Sequence, residues 1–287
     1  MKSFSIFYKE VKGNEKSKCM YPTRLDTYGC GCQHDCNYCY AKSLLNFRNL
    51  WNPQKPVVSS MKQVHNAIIK IKKSGIKIVR LGGMTDCFQP IELKYRTTYQ
   101  TIKLLNKYKI GYLIVTKSHL VANDEYIKIY DKDLAHFQIT TTCLDDDLYK
   151  KLNYEKASVP SRRIEAIKKL QNNGFDVAIR LSPLIEEFID FDKLNNLGIE
   201  KAQVEFLRIN HWIKQWFDID YSKFSIKQNG YEHLPLEEKQ RIISKIKIPQ
   251  ISVCEDENVA YEYWKNNFNP NKEDCCNLRS ENIENSK

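Results

Sequence analysis

The chain predicts an α/β fold, a partial (β/α)6 TIM-like barrel with a C-terminal extension, and three observations carry that expectation. Helical and strand-like periodicities alternate from about residue 57, six β-rich runs can be counted, and the residues suited to binding chemistry follow those runs. With 287 residues, 42% of them hydrophobic, the chain can bury a core of that size.

The first strand is expected around residues 24–28. Met61, Val64, Ile68 and Ile71 recur at helical spacing until Gly75, and a strand follows over 76–81. Tyr95, Tyr99, Ile102 and Leu105 mark a helix before the strand 112–115. A helix around 126–130 precedes the strand 136–140. Pro160, at home in a first helical turn, opens a helix through Ile164, Ile167 and Leu170 that Gly174 ends, and 175–181 is the fifth strand. Phe188, Phe191 and Leu194 lead to the sixth, 203–208. Such alternation calls for parallel strands joined by right-handed crossovers, and six units for an incompletely closed barrel. No repeat, low-complexity tract or Gly/Ser-rich linker divides the sequence. It reads as an N-terminal segment 1–20, a core 21–210 and a C-terminal extension 211–287.

The formal net charge of +10, from 45 basic and 35 acidic residues, permits attraction to a polyanion such as nucleic acid. A composition rich in Lys, Asn and Ile accounts for the same charge without any partner. The first ten residues lack the apolar run of a signal peptide, and no later segment approaches a membrane span. A cytoplasmic protein without a membrane partner is expected. In such a chain the ten cysteines read as metal ligands and buried thiols rather than as disulfides.

Cys32, Cys36 and Cys39 form a C-x3-C-x2-C run with Tyr38 just before the third thiol. Three thiolates so close can hold three irons of a 4Fe-4S cluster and leave the fourth iron open to an exogenous ligand. The alternative is zinc, since Cys30, Cys32, Cys36 and Cys39 also supply four thiolates, with His34 as a spare ligand. A small zinc module usually pairs two C-x2-C knuckles across a longer loop, which this run does not do.

Parallel α/β sheets place chemistry in the loops after their strands. The cysteine loop follows the first strand, Gly82-Gly83-Met84-Thr85-Asp86 the second, Thr116-Lys117-Ser118 the third, Thr140-Thr141-Thr142 the fourth and Leu181-Ser182-Pro183 the fifth. All therefore gather on one rim. Lys117 could pair with a ligand carboxylate, and Thr140 and Thr142 could bond ribose hydroxyls or simply cap a strand. Asp145-Asp146-Asp147 reads as the acidic first turn of a helix rather than as a metal site. Trp212, Trp216, Phe217 and Tyr221 could stack on bases or pack internally.

Residues 31–41, 85–92, 116–118, 162–167 and 230–237 resemble the radical S-adenosylmethionine superfamily, and within it the spore photoproduct lyase-like, or DNA repair photolyase-like, branch. The likeness spans roughly residues 20–245. It implies that Cys32, Cys36 and Cys39 are cluster ligands, and that the open iron takes the amino and carboxylate groups of S-adenosylmethionine. It also implies reductive cleavage to a 5′-deoxyadenosyl radical that abstracts hydrogen from a substrate, most naturally a nucleic-acid base. By the same likeness Gly82 and Gly83 take the place of a glycine-rich methionine-binding strand end, Lys117, Thr140 and Ser182 fall where S-adenosylmethionine contacts lie, and a flavodoxin or ferredoxin supplies electrons; Thr85 and Thr142 are further candidates for holding the ligand. Tyr38 and Tyr40 match two tyrosines that help pass a hydrogen atom in the lyases. Their cysteine donor is replaced here by Gly83, and the nearest thiol is Cys87. Radical modification of a peptide or small metabolite is the alternative chemistry, and a zinc-stabilised nucleic-acid-binding protein without catalysis the alternative class. Cys254, Cys275 and Cys276 could hold a second cluster or zinc with Cys19 or Cys30 as a fourth ligand, or be free thiols.

Overall fold

The computed structural model describes residues 8–11 and 18–278. Residues 1–7, 12–17 and 279–287, which include most of the expected N-terminal segment and the end of the extension, lie outside the described residues.

Among the described residues twelve strands form: β1 (Tyr8–Glu10), β2 (Thr23–Leu25), β3 (Tyr28–Gly29), β4 (Val57–Val58), β5 (Ile78–Leu81), β6 (Gly111–Thr116), β7 (Ala135–Thr141), β8 (Asp176–Leu184), β9 (Lys201–Phe206), β10 (Ile226–Gln228), β11 (Tyr231–His233) and β12 (Gln250–Val253). Eight of them make one sheet in the order β1-β2-β5-β6-β7-β8-β9-β12. The six strands expected from sequence are β2 and β5 to β9, and they pair in parallel throughout. Register aligns Leu81, Ile114, Phe137 and Val177 in one buried row. Because side chains alternate along a strand, the neighbouring row of Arg24, Arg80, Leu113, His136 and Asp176 faces the other side, the inside of the partial barrel.

The helices cover the apolar face. Met61–Lys73 begins with a reciprocal cap, in which the Ser60 hydroxyl accepts from Gln63 N and the Gln63 amide oxygen accepts from Ser60 N. It buries Val64, Ile68 and Ile71. Pro160–Asn172 buries Ala166, Ile167 and Leu170. Asp145 caps Asp146–Leu152, as its sequence suggests. The helix expected around 126–130 is shorter, a 3-10 turn at His119–Ala122 followed by Asp124–Ile127.

Three features differ from expectation. The first strand stops at Leu25, because the next residue, Asp26, turns its carboxylate to the backbone of Gly83, Met84 and Thr85. Tyr28–Gly29 then pairs with Val57–Val58 in a separate ladder. β1 adds an antiparallel edge on β2, and β12 adds a parallel edge on β9. β12 comes from the stretch expected as an extension. It is four residues long and follows Pro249, and a proline beside so short a run argues against a strand when read alone. Asn258–Asn267 packs behind it with Ala260 and Trp264 fully buried.

At the opposite ends of the strands, Asp176 on β8 accepts from His136 on β7 and from Lys201 on β9, each at 2.7 Å. Burial alone would raise its carboxyl, but these two partners hold it below the usual range. A depressed carboxyl stabilises the fold above its unfolded value of about 4, and that stabilisation is lost as pH falls through the folded value. Urea midpoints are therefore expected to drop below about pH 4, and Asp176→Asn to flatten that part of the profile. Trp264→Ala should cost about 3–5 kcal/mol in the same denaturation experiment by leaving a cavity behind β12.

Candidate radical site at the rim of the sheet

A cavity of ≈ 1050 Å³, open to solvent, sits at the C-terminal ends of the strands. Its wall includes Cys32, Cys36, Tyr38, Cys39 and Tyr40, the turn Gly82–Asp86 after β5, Lys117 after β6, Thr140 on β7, and Ser182 on β8. Loops far apart in sequence thus converge on one site, as parallel topology requires.

The cysteine loop is held by its own backbone and by its neighbour. Asp35 N donates to Cys32 O and Cys39 N to Cys36 O, while Asn37 N and the His34 carbonyl bond the segment at Tyr154 and Lys156. Cys39 then caps Tyr40–Asn46, its sulfur accepting from Lys42 N at 3.5 Å. Burial pushes the three thiols up, with Asp86 adding to the effect at Cys32 and Glu155 at Cys36. They become thiolates only where a metal takes the place of the proton. Cys30 is not on the cavity wall. Among the described residues, no three sulfurs of Cys30, Cys32, Cys36 and Cys39 lie mutually within 4.8 Å. Tetrahedral zinc holds its sulfurs about 3.8 Å apart, given Zn–S near 2.3 Å, so the donor set suits a larger group with separate irons.

Three buried carboxylates organise the surrounding loops. Asp26 Oδ1 accepts from the amides of Gly83 and Met84, both at 2.9 Å, and of Thr85 at 3.3 Å. Burial still leaves Asp26 raised to about 6. Asp86 accepts from Thr116 Oγ1 at 2.6 Å, Lys117 N at 2.7 Å and Phe88 N at 2.8 Å, and lies 3.2 Å from His34 Nε2. Glu155 receives the Tyr38 hydroxyl and the Arg163 guanidinium, with Cys36 Sγ and Lys117 Nζ each 3.5 Å away. Burial would raise Glu155, but Arg163 and then Lys117 hold it down to about 2.

Gly82 and Gly83 are set by close packing. Gly82 has φ +82°, and a Cβ there would sit 2.3 Å from the Val115 carbonyl oxygen. A Cβ on Gly83 would lie 2.5 Å from Arg24 Cδ. The Gly83 amide is taken by Asp26, and its carbonyl accepts from Tyr40 OH at 2.5 Å. Lys117 Nζ donates to the Ser182 carbonyl at 3.1 Å and lies 5.2 Å from the Tyr38 ring centre. Ser182 Oγ donates to Glu205 at 2.8 Å. Glu205 is held down to about 2 against its burial, by Arg180, Arg208 and Arg80 in that order.

Two candidate residues are not on the wall. Cys87 packs in the main apolar core, its own carbonyl accepting from Thr98 Oγ1, and burial pushes its thiol up. Thr142 turns its hydroxyl to Tyr154 OH at 2.5 Å, away from the cavity. Reading along the chain missed Asp26, Glu155 and the arginines Arg24, Arg80, Arg180 and Arg208, because isolated charged residues carry no spacing that marks them. Arg163 lies within a recognised stretch, and only the fold shows it reaching Glu155.

A family model described as the radical SAM superfamily matches residues 27–194. An uncharacterized protein of Methanocaldococcus jannaschii is 29% identical over 209 residues, 69% of this chain and 77% of that protein. A structure of spore photoproduct lyase complexed with dinucleoside spore photoproduct superimposes with a TM-score of 0.63 at 15% identity, over 86% of this chain and 78% of that one. Streptococcus suis SuiB bound to precursor peptide SuiA superimposes with a TM-score of 0.56 at 14% identity, covering 84% of this chain and 51% of SuiB. At such identities the two structures speak for a shared fold. Together with three thiols on one loop, a glycine turn and a lysine around a single cavity, the family match over more than half of the sequence shows that this chain belongs to the radical SAM superfamily of enzymes.

Proposed function

We propose that this enzyme cleaves S-adenosylmethionine at a 4Fe-4S cluster held by Cys32, Cys36 and Cys39, and that its substrate is a nucleic-acid base. When bound, the cluster supplies the electron that breaks the sulfonium and leaves a 5′-deoxyadenosyl radical able to abstract hydrogen. The chain's own residues hold and orient. Asp26 and Tyr40 fix the Gly82–Asp86 turn from two sides, so a ligand ammonium there meets carbonyl oxygens on a rigid backbone. Lys117 is held beside the cluster cysteines by Glu155 and the Ser182 carbonyl. Burial, and then the neighbouring Cys36 and Glu155, push the Tyr38 phenol well up, so it keeps its proton next to Cys36. Arg24, Arg80, Lys117, Arg180 and Arg208 line the cavity against Asp86 and Glu205, a positive balance that favours an anionic ligand.

The observation that favours a base as substrate is an exposed aromatic patch beside the cysteine loop. Trp212 and Trp216 stack at 6.3 Å with their planes 29° apart, Phe47 lies 6.5 Å from Trp212, and Lys42 Nζ sits 5.0 Å from the Trp216 ring centre. Phe47 is 72% exposed and Trp212 36%. Sequence-tolerant stacking on such rings, with cations nearby, is how single strands are held. Phe217 and Tyr221 are packed instead, Phe217 against Tyr38, Tyr154 and Phe188. The dinucleoside bound in the spore photoproduct lyase structure supports the same reading.

Cys36→Ala is expected to abolish both the cluster and 5′-deoxyadenosine formation in anaerobically reconstituted protein, and retained cleavage would refute the ligand assignment. Single-stranded oligonucleotides should bind with an affinity that falls steeply with salt. Replacing Trp212 and Trp216 with Ala should weaken that binding by about 10-fold or more, at roughly 1–3 kcal/mol per stacked base. No binding at low salt would remove nucleic acid and leave a peptide or small metabolite as the substrate class.

A further inference from the structure

Cys19, Cys254, Cys275 and Cys276 converge from three distant parts of the chain. Cys254 directly follows β12, its amide bonded to the Val204 carbonyl of β9 at 2.8 Å. Cys19 precedes β2, near the opposite edge of the sheet. The segment carrying Cys275 and Cys276 is pinned between them, since Tyr21 OH donates to Asp274 at 2.7 Å and Asp274 accepts from Cys276 N at 2.8 Å and Leu278 N at 3.1 Å. Cys19, Cys275 and Cys276 pack in one cluster with Tyr21, Leu113 and Leu278, and the Cys275 thiol is hydrogen-bonded with Cys254 and Cys276.

We propose that these four cysteines form a second metal centre, a four-thiolate iron-sulfur cluster that bridges the two edges of the partial barrel. The surroundings match such a group in charge and access. Arg80 and Arg180, which also line the radical cavity, place positive charge near the Cys254 thiol. Arg80 Nε is buried and has no hydrogen-bond partner among the described residues, a donor suited to cluster sulfide. A separate cavity of ≈ 590 Å³ opens at Cys19 and Cys275, an entry path for iron and sulfide. A cluster suits the thiols better than zinc on two grounds. The four thiols come from three separate segments of the chain, which lets each take its own metal ion in a larger group. The adjacent Cys275 and Cys276 also fit separate irons more easily than one ion. On ligation each thiol gives up its proton to solvent, and the four thiolates bind one iron each.

The test is an iron, sulfide and zinc count on the anaerobically reconstituted full chain, with Mössbauer spectra. About eight irons per chain are expected, and about four in a Cys254→Ser/Cys276→Ser variant. Replacing Cys32, Cys36 and Cys39 together with Ala should also leave about four irons, and this variant keeps the second centre whole if the first fails to fold. Cys143→Ser, a buried thiol outside both sets, should retain about eight. About four irons in the wild type and none in the triple variant would overturn the proposal, and one zinc in place of the second set of irons would overturn the cluster assignment.

Discussion

A row of buried carboxylates holds the rim of this sheet in place, and each one anchors a different loop. Loops at the ends of parallel strands carry backbone N–H groups without ladder partners, and those groups must find acceptors when buried. Asp26 collects three of them from the glycine turn, Asp86 joins the β6 loop to its own turn, and Glu155 joins the cysteine loop to Arg163 and Lys117. At Glu155 two cations face one carboxylate beside the Cys36 thiol, so the buried carboxylate is fully compensated. Breaking one side of such a buried pair costs far more than the pair contributes, so the network specifies geometry more than it adds stability.

Below the rim, the sheet explains why polar residues can line its inner side. The helices remove the row of Leu81, Ile114, Phe137 and Val177 from water, and the alternate row is left to the barrel interior. Arg80 and Arg180 line the rim cavity from that interior. The C-terminal stretch has a structural part in the barrel, because β12 and the segment around Asp274 close on the β1–β2 edge.

Much of the fold was legible along the chain. Six strands and most of the helices follow from periodicity, from Pro160 at a helix start and from the acidic first turn after Asp145. β12 was not legible, since four residues after a proline carry too little pattern to outweigh the proline. The site was legible where its residues are close in sequence, as with the three cysteines, or where they end a recognisable strand, as with Gly82, Lys117 and Ser182. Cys87 and Thr142 show the limit of this rule, because being near a strand end does not decide which way a side chain points. Cys87 faces the helices and Thr142 faces Tyr154.

By itself, then, the sequence determined the cysteine loop, the parallel topology and the rim on which the candidate residues gather, because these depend on local spacing and on the period of apolar residues. Only tertiary structure decided that Glu155 lies under Cys36 and Tyr38, that Asp26 braces the glycine turn and that Cys19 packs in one cluster with Cys275 and Cys276. Each of those contacts joins residues distant in the chain through a single side chain. A lone Asp, Glu or Cys has no periodicity to reveal its partner, so its place is set by packing and by the need to satisfy a buried polar group.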